Sequence, residues 1–268
     1  MLRHHLAKIQ RFDVNLMENH WLSVVFIDVD NTIIKGPFES VVFPIIFSEI
    51  SGKSGLGVDE IRRLVVKENL DRQQDPKIPA VVAMDWDDIV RTVAATLGVR
   101  VTPSVVDIVR SHTYPPYSSI LDDAQNVLRL ISRPHRAIVA ATKGLRKYQL
   151  PILDALGLTS LFTDILTPDT SNALKTEVSF YGKWPSLTKL QISVGDYYED
   201  DVRAPKAFGF KTIWIPNRQN QNNELRSMHP LTRPLVYSQE SQSVQPDAII
   251  TSLQELEEAI AQIEARHL

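Results

Sequence analysis

"VVFIDVDNTI", residues 24–33, runs an apolar stretch straight into two aspartates one residue apart. Carboxylates are costly to bury, so Asp28 and Asp30 at the end of a core-like run call for a cause. The plain reading is a strand followed by a polar turn, with Asn31 and Thr32 as ordinary turn residues. The sharper reading is a site, because side chains two apart on an extended chain project from the same face. This window does not choose between them, and the rest of the chain has to.

Similar short apolar runs recur at residues 137–141, 165–166, 190–194, 212–215 and 248–250. Amphipathic stretches lie between them: "SSILDDAQNVLRLIS" (118–132), "KYQLPILDALGL" (147–158) and "DDVRAPKAFGF" (200–210). Buried strands alternating with helices predict an α/β fold, a doubly wound parallel sheet with a Rossmann-like core covered on both faces. Ligands of such sheets sit outside the carboxyl ends of the strands, which is where Asp28 and Asp30 fall.

Residues 36–117 break this rhythm, with helical patterns and no clear strand. "FESVVFPIIFSEIS" contains Pro44, expected to bend or interrupt its helix. "GVDEIRRLVVKENLDRQQ" follows, then "MDWDDIVRTVAATLG" with Asp85 as N-cap, then "TPSVVDIVRSH" with Thr102 as cap and Pro103 at the first helical position. Four such helices predict a bundle inserted after the first strand. The expected division is therefore an α/β core of residues 1–35 and 118–268 and an α-helical cap domain of residues 36–117. Gly36, Pro37, Pro115 and Pro116 would edge the hinges of a lid. Residues 217–245 are polar, amide-rich and long for a connection, so they read as a mobile segment or a contact arm. A homo-oligomer through the cap or this arm is one expectation.

Charge is nearly balanced, 29 Lys plus Arg against 32 Asp plus Glu, so no electrostatic footprint for nucleic acid or an anionic membrane is present. The absence of cysteine removes disulfides, thiolate nucleophiles and Cys-ligated zinc. No apolar run approaches the ~20 residues of a membrane span. The N-terminal stretch lacks the apolar core of a secretory signal, and a cytoplasmic protein is expected. His4 and His5 read as part of a polar terminus, Asp85, Asp87 and Asp88 as a helix start whose acids favour the dipole, and Arg62, Arg63 and Lys67 as a solvated helix face, with a substrate-reading role the lesser alternative.

The remaining strand ends carry more chemistry. Thr142 follows one apolar run in "AIVAATKG", and Gly195 and Asp196 follow another in "LQISVGDYYEDD", with Asp200 and Asp201 a helical turn on. Lys175 precedes that run in "SNALKTE". Carboxylates converging on one point repel unless a cation lies among them, and hard oxygen ligands suit Mg²⁺. A hydroxyl and a lysine beside such a metal are groups that hold a transferring phosphoryl.

In these residues the chain resembles the phosphatase-like branch of the haloacid dehalogenase superfamily. The first family motif, Asp-x-Asp-x-Thr after an apolar strand, is met by Asp28, Asp30 and Thr32. The second, a strand ending in Thr or Ser, is met by Thr142. The third is a lysine: spacing favours Lys175, and Lys183 is a rival because the usual Lys-Pro-Asp-Pro continuation is absent. The fourth, Gly-Asp and a second acid, is met by Asp196 with Asp201 or Asp200. The resemblance covers roughly residues 23–36 and 115–260, and the insertion occupies the family's cap position. It implies a Mg²⁺-dependent phosphatase acting on a small phosphorylated metabolite through an aspartyl-phosphate. Asp28 would be the nucleophile and Asp30 the acid and base, with Thr142 and Lys175 on the phosphoryl oxygens. Asp28, the backbone carbonyl of Asp30, Asp196 and Asp201 would hold the metal. Alternatives are a phosphomutase, a 2-haloacid dehalogenase, or a non-catalytic binding relative.

Overall fold

The computed structural model describes residues 21–216 and 244–268. His4, His5 and all but the last two residues of the expected 217–245 arm lie outside the described residues. In chain order the elements begin with β1 (Ser23–Ile27) and β2 (Ile34–Lys35), then α1 (Phe43–Ser54), α2 (Val58–Gln74), α3 (Ala80–Ala83), α4 (Trp86–Thr96) and α5 (Val105–Ser111). Next come β3 (Ser119–Ile120), α6 (Ala124–Ile131), β4 (Arg136–Ala141), α7 (Arg146–Ala155), β5 (Asp164–Leu166), α8 (Pro168–Ser171) and α9 (Trp184–Leu187). β6 (Leu190–Gly195), α10 (Ala204–Ala207), β7 (Lys211–Trp214), β8 (Ala248–Ile249) and α11 (Leu256–His267) complete the described chain.

Six strands form one parallel sheet in the order β5-β4-β1-β6-β7-β8. β1 lies inside it with β4 and β6 on either side, which is the doubly wound arrangement whose strand order reverses at the first strand. Every residue of β1 is buried, because helices cover both faces. The faces divide by alternation: Val24 and Phe26 enter an aromatic cluster with Tyr181 and Phe210, while Val25 and Ile27 enter the larger core.

That larger core continues without a break into the inserted helices, through Phe43, Phe47, Ile61, Val65, Trp86 and Val90. The insertion leaves and rejoins the sheet region through the antiparallel ribbon β2/β3, which the sequence patterns did not reveal because each strand is two residues long. Pro44 falls as expected at a break in regularity: the helical run from Phe38 passes from a π-helical turn, Phe38–Val42, into α1 just before it, where Pro44 offers no N–H. One local expectation changes. The cap of α5 is Ser104, whose hydroxyl accepts from the Asp107 N–H, and not Thr102. Thr102 is occupied elsewhere: its N–H donates to Glu49 and its hydroxyl accepts from Lys53.

Asp85 caps α4 as expected, accepting from the Asp87 and Asp88 N–H groups. It also receives Lys147 Nζ and the Tyr148 hydroxyl from α7, at 2.7 and 2.8 Å. Asp87 lies in the first turn of α4, as expected of a helix-start acid. It is buried and accepts from the Val105 N–H at 2.8 Å and from Tyr148 at 3.2 Å. The inserted helices are thereby tied to the sheet region by polar as well as apolar contacts. Among the described residues no single helix is long and apolar enough to cross a membrane.

At the opposite end of the sheet, buried Arg136 opens β4 and is held by Glu264 and Glu257 of α11, with ion-pair distances of 2.5 and 2.7 Å. Ser23 donates to the same Glu264 at 2.6 Å. Burial alone would raise the Glu264 pKa, but Arg136 and Ser23 outweigh it and hold the group below its ordinary 4.5. A depressed carboxylate contributes stability above its unfolded pKa and loses it as pH falls through the folded value. Glu264→Gln should therefore cost about 1.5–3 kcal/mol near neutrality, the scale of hydrogen bonds to a charged group. The difference from wild type should shrink below pH 4. Urea unfolding at pH 6.5 and pH 3.5 checks both statements.

Candidate active site

Asp28 is the first residue past β1, and its N–H still donates to Val194 of β6 at 2.9 Å, so sheet pairing carries it to the strand end. Asn31 then takes a left-handed conformation, φ 62, which asparagine tolerates, and turns the chain back towards β2. The turn sends Val29 into the core and leaves Asp28 and Asp30 at the sheet end. The Thr32 hydroxyl donates to Asp28 Oδ2 at 3.0 Å, fixing that carboxylate from one side.

Asp196 follows β6, the neighbour of β1 at the point where strand order reverses. Asp201 lies in the π-helical turn Glu199–Arg203 and accepts the Tyr197 N–H at 2.9 Å. Its carboxylate occupies the space a side chain at position 195 would need: a Cβ on Gly195 would lie 2.2 Å from Asp201 Cγ. One oxygen from each of Asp28, Asp196 and Asp201 lies within 4.8 Å of the others. These are three hard oxygen donors that could hold a metal ion.

Lys175 meets this cluster, with Nζ 2.7 Å from Asp28 Oδ1 and 2.7 Å from Asp201 Oδ1. Burial works to lower its pKa, but Asp201 and Asp28 together raise it well above the ordinary 10.5, so the ammonium is retained. Its rival Lys183 is exposed and lies over the Trp184 ring, 5.5 Å from the centroid. The acids separate similarly. Asp201 joins the cluster, whereas Asp200 pairs with Lys143 at 3.0 Å.

Asp30 has a different environment. Gln149 Nε2 donates to its Oδ2 at 2.5 Å. Burial, followed by repulsion from Asp28, raises its pKa to about 7 in spite of the Gln149 hydrogen bond, and Asp196 adds to the effect. A carboxyl poised there can give up or take a proton near neutral pH. Thr142 is buried just past β4, where its Oγ1 accepts the Gly144 N–H at 3.1 Å and its own hydroxyl hydrogen remains to be donated. Asp28, Asp30, Thr142 and Asp196 all face one cavity of about 270 Å³, walled on its other side by residues of the inserted helices. Arg62, Arg63 and Lys67 do not line it.

Two neighbours of the site, Gln149 and Lys143, were not singled out from sequence. A glutamine on an amphipathic helix reads as surface. It is buried here because Gly144 leaves room: a Cβ there would lie 2.3 Å from Gln149 Nε2. The "TKG" stretch held the only signal.

No protein-family model matches the chain, and no curated protein matches it. Solved structures do. The HAD phosphatase from Thermococcus onnurineus aligns with a TM-score of 0.63 at 20% identity, covering 89% of this chain and 98% of that one. YfnB from Bacillus subtilis, described as a HAD-hydrolase and bound to magnesium, aligns at 0.56 and 14%, covering 89% and 97%. The L-2-haloacid dehalogenase from Xanthobacter autotrophicus aligns at 0.58 and 16%, covering 90% and 98%. The likeness establishes the fold, and because it extends to a phosphatase and a dehalogenase alike, the chemistry has to be argued from the site.

The close seat of Asp201 against Gly195 has a measurable consequence. Gly195→Ala should destabilise by about 1–3 kcal/mol through overpacking. Gly52→Ala, on α1 with nothing within 4 Å of its Cβ, should stabilise by about 0.5–1 kcal/mol. Urea unfolding of the two variants should move in opposite directions from wild type.

Proposed function

We propose that this chain, which has the fold of the haloacid dehalogenase hydrolases, belongs to that superfamily and is a Mg²⁺-dependent phosphatase of small phosphate monoesters. The observation that carries the reading is Asp30. It is a second carboxyl facing the same cavity as Asp28 and Asp196, half-buried and held by Gln149 Nε2 at 2.5 Å beside the Asp28–Asp196–Asp201 cluster. A halide leaves carbon without needing a proton, so a proton-donating carboxyl would be idle in the leaving step of a dehalogenase. An alcohol leaving phosphorus does need one.

The donor set suits a hard divalent cation. The carboxylates of Asp28, Asp196 and Asp201 converge against the single charge of Lys175, and Gly195 makes room for Asp201. Asp28 and Asp196, the backbone carbonyl of Asp30, and Asp201 through a water would hold the ion. Bound there, Mg²⁺ supplies positive charge against the carboxylates and the phosphoryl oxygens.

Asp28 attacks phosphorus through a carboxylate oxygen, forming an aspartyl-phosphate as the ester P–O bond breaks. Asp30 gives its proton to the departing alkoxide. In the second step Asp30, now a base, takes a proton from water, which attacks the same phosphorus and releases inorganic phosphate and free Asp28. The Thr142 hydroxyl and the Lys175 ammonium hold phosphoryl oxygens, and Thr32 keeps the Asp28 carboxylate aimed.

Asp28→Asn should abolish p-nitrophenyl phosphate hydrolysis while leaving the fold intact, because a carboxamide is nearly isosteric and not nucleophilic. Activity near the wild-type level would remove Asp28 from this role. Asp30→Asn should lower kcat by roughly 10²–10⁴-fold. Rapid-quench trapping of a phospho-enzyme in that variant would locate the loss in the second step. Separately, Mg²⁺ at about 100 times its Kd should stabilise the protein by about 2.7 kcal/mol, and Asp196→Asn should remove most of that gain. Calorimetric melting with and without the metal reads this without any turnover.

A further inference from the structure

The cavity walls point to the kind of alcohol that leaves, an inference that rests on the phosphatase reading above. Opposite the carboxylates the wall is apolar: Phe38, Phe43, Leu70, Met84 and Trp86 face the cavity from the inserted segment. The rings are fixed against one another, with centroids 5.7 Å apart for Phe38 and Phe43 and 5.1 Å apart for Phe43 and Trp86. Its neutral polar groups there are two amides, Asn69 and Gln73. Their orientation is set in a chain. Asn69 Nδ2 donates to the Ala83 carbonyl at 2.8 Å, and Gln73 Nε2 donates to Asn69 Oδ1 at 2.7 Å. The Gln73 carbonyl oxygen is thereby left as the acceptor of the pair.

Charge points the same way. Among the described residues, no lysine or arginine of the inserted helices lines the cavity, and the charged side chain that segment contributes is Glu39. The cations that reach the cavity, Lys35 and Lys143, come from the ribbon and from the sheet end, and Lys143 is already paired with Asp200 at 3.0 Å. A leaving group bearing a carboxylate or a second phosphate would lie against aromatic rings with no lysine or arginine of the inserted helices beside it, a partly desolvated anion that only Lys35 of the ribbon could reach. The volume, about 270 Å³, falls just below the usual span of ligand cavities, roughly 300–1,000 Å³.

We infer that the substrate is the phosphate monoester of an uncharged alcohol with an aromatic or branched apolar body and a hydrogen-bond donor that reaches Gln73. Substrates whose leaving group is anionic, phosphoglycolate among them, are selected against, and so are 2-haloacids, whose carboxylate would face the same wall.

The test compares kcat/KM with Mg²⁺ for phenyl phosphate, 3-hydroxyphenyl phosphate and phosphoglycolate. Acetyl phosphate, which carries neither a ring nor a free carboxylate, is the reference for each enzyme. The aryl esters should exceed phosphoglycolate by about 10²-fold or more. Leu70 lies on α2 at 36% exposure, so Leu70→Arg places a cation at the wall without entering the core, and should raise phosphoglycolate relative to acetyl phosphate by about tenfold. Gln73→Ala should lower 3-hydroxyphenyl phosphate relative to phenyl phosphate by about five- to tenfold. Turnover of acetyl phosphate with phosphoglycolate equal to or above the aryl esters overturns the inference and leaves the phosphatase reading standing. Failure to hydrolyse acetyl phosphate and every ester overturns the phosphatase reading itself.

Discussion

Lys175 stands between Asp28 and Asp201, 2.7 Å from an oxygen of each, and the carboxyl end of the sheet depends on that double ion pair. Asp201 is fully buried and Lys175 nearly so. Neither would be tolerable there alone, because removing one member of a buried pair leaves the other charge uncompensated at a cost of about 3–5 kcal/mol. The pair joins three segments far apart in sequence: the end of β1, the loop after α8 and the turn after β6. It also accounts for the partial neutralisation of the acidic cluster, one ammonium against three carboxylates.

Glycine makes the rest of this geometry possible in two places. Gly195 ends β6 where the Asp201 carboxylate must lie, and Gly144 opens the space that Gln149 fills on its way to Asp30. In both cases the required absence is a Cβ, so the constraint is a close approach and not a backbone angle. The two aspartates of the opening stretch end in different surroundings. Asp28 is held by an ammonium and a hydroxyl, and Asp30 by burial and an amide. Environments that divide a pair of carboxylates in this way divide their chemical roles.

The inserted helices are more tightly joined to the sheet region than a loosely hinged lid requires. Their apolar interior is continuous with the core, and the Tyr148 hydroxyl bridges Asp85 and Asp87 across the junction. Burial, with those two acids alongside, pushes the Tyr148 hydroxyl far up, so it stays a donor. The same helices bring the aromatic and amide wall over Asp28. What that segment provides is thus one wall of the cavity.

Alternation of short apolar runs with amphipathic helices was enough to specify a parallel sheet with an insertion, because buried parallel strands leave an unbroken apolar signature. Asp28, Asp30, Thr142 and Asp196 at predicted strand ends were equally legible, since strand ends are where a doubly wound sheet exposes polar side chains. Sequence could not choose Lys175 over Lys183 or Asp201 over Asp200. Adjacent acids and nearby lysines have the same local pattern, and only the folded chain decides which ammonium reaches Asp28 and which carboxylate joins it. Nor could it show that Gln149 is buried, that Asp87 is a junction residue, that Ser104 caps α5, or that a two-residue ribbon starts and ends the insertion. Each of these depends on partners distant along the chain or on contacts too short to leave a period, and such contacts exist only once the tertiary structure has formed.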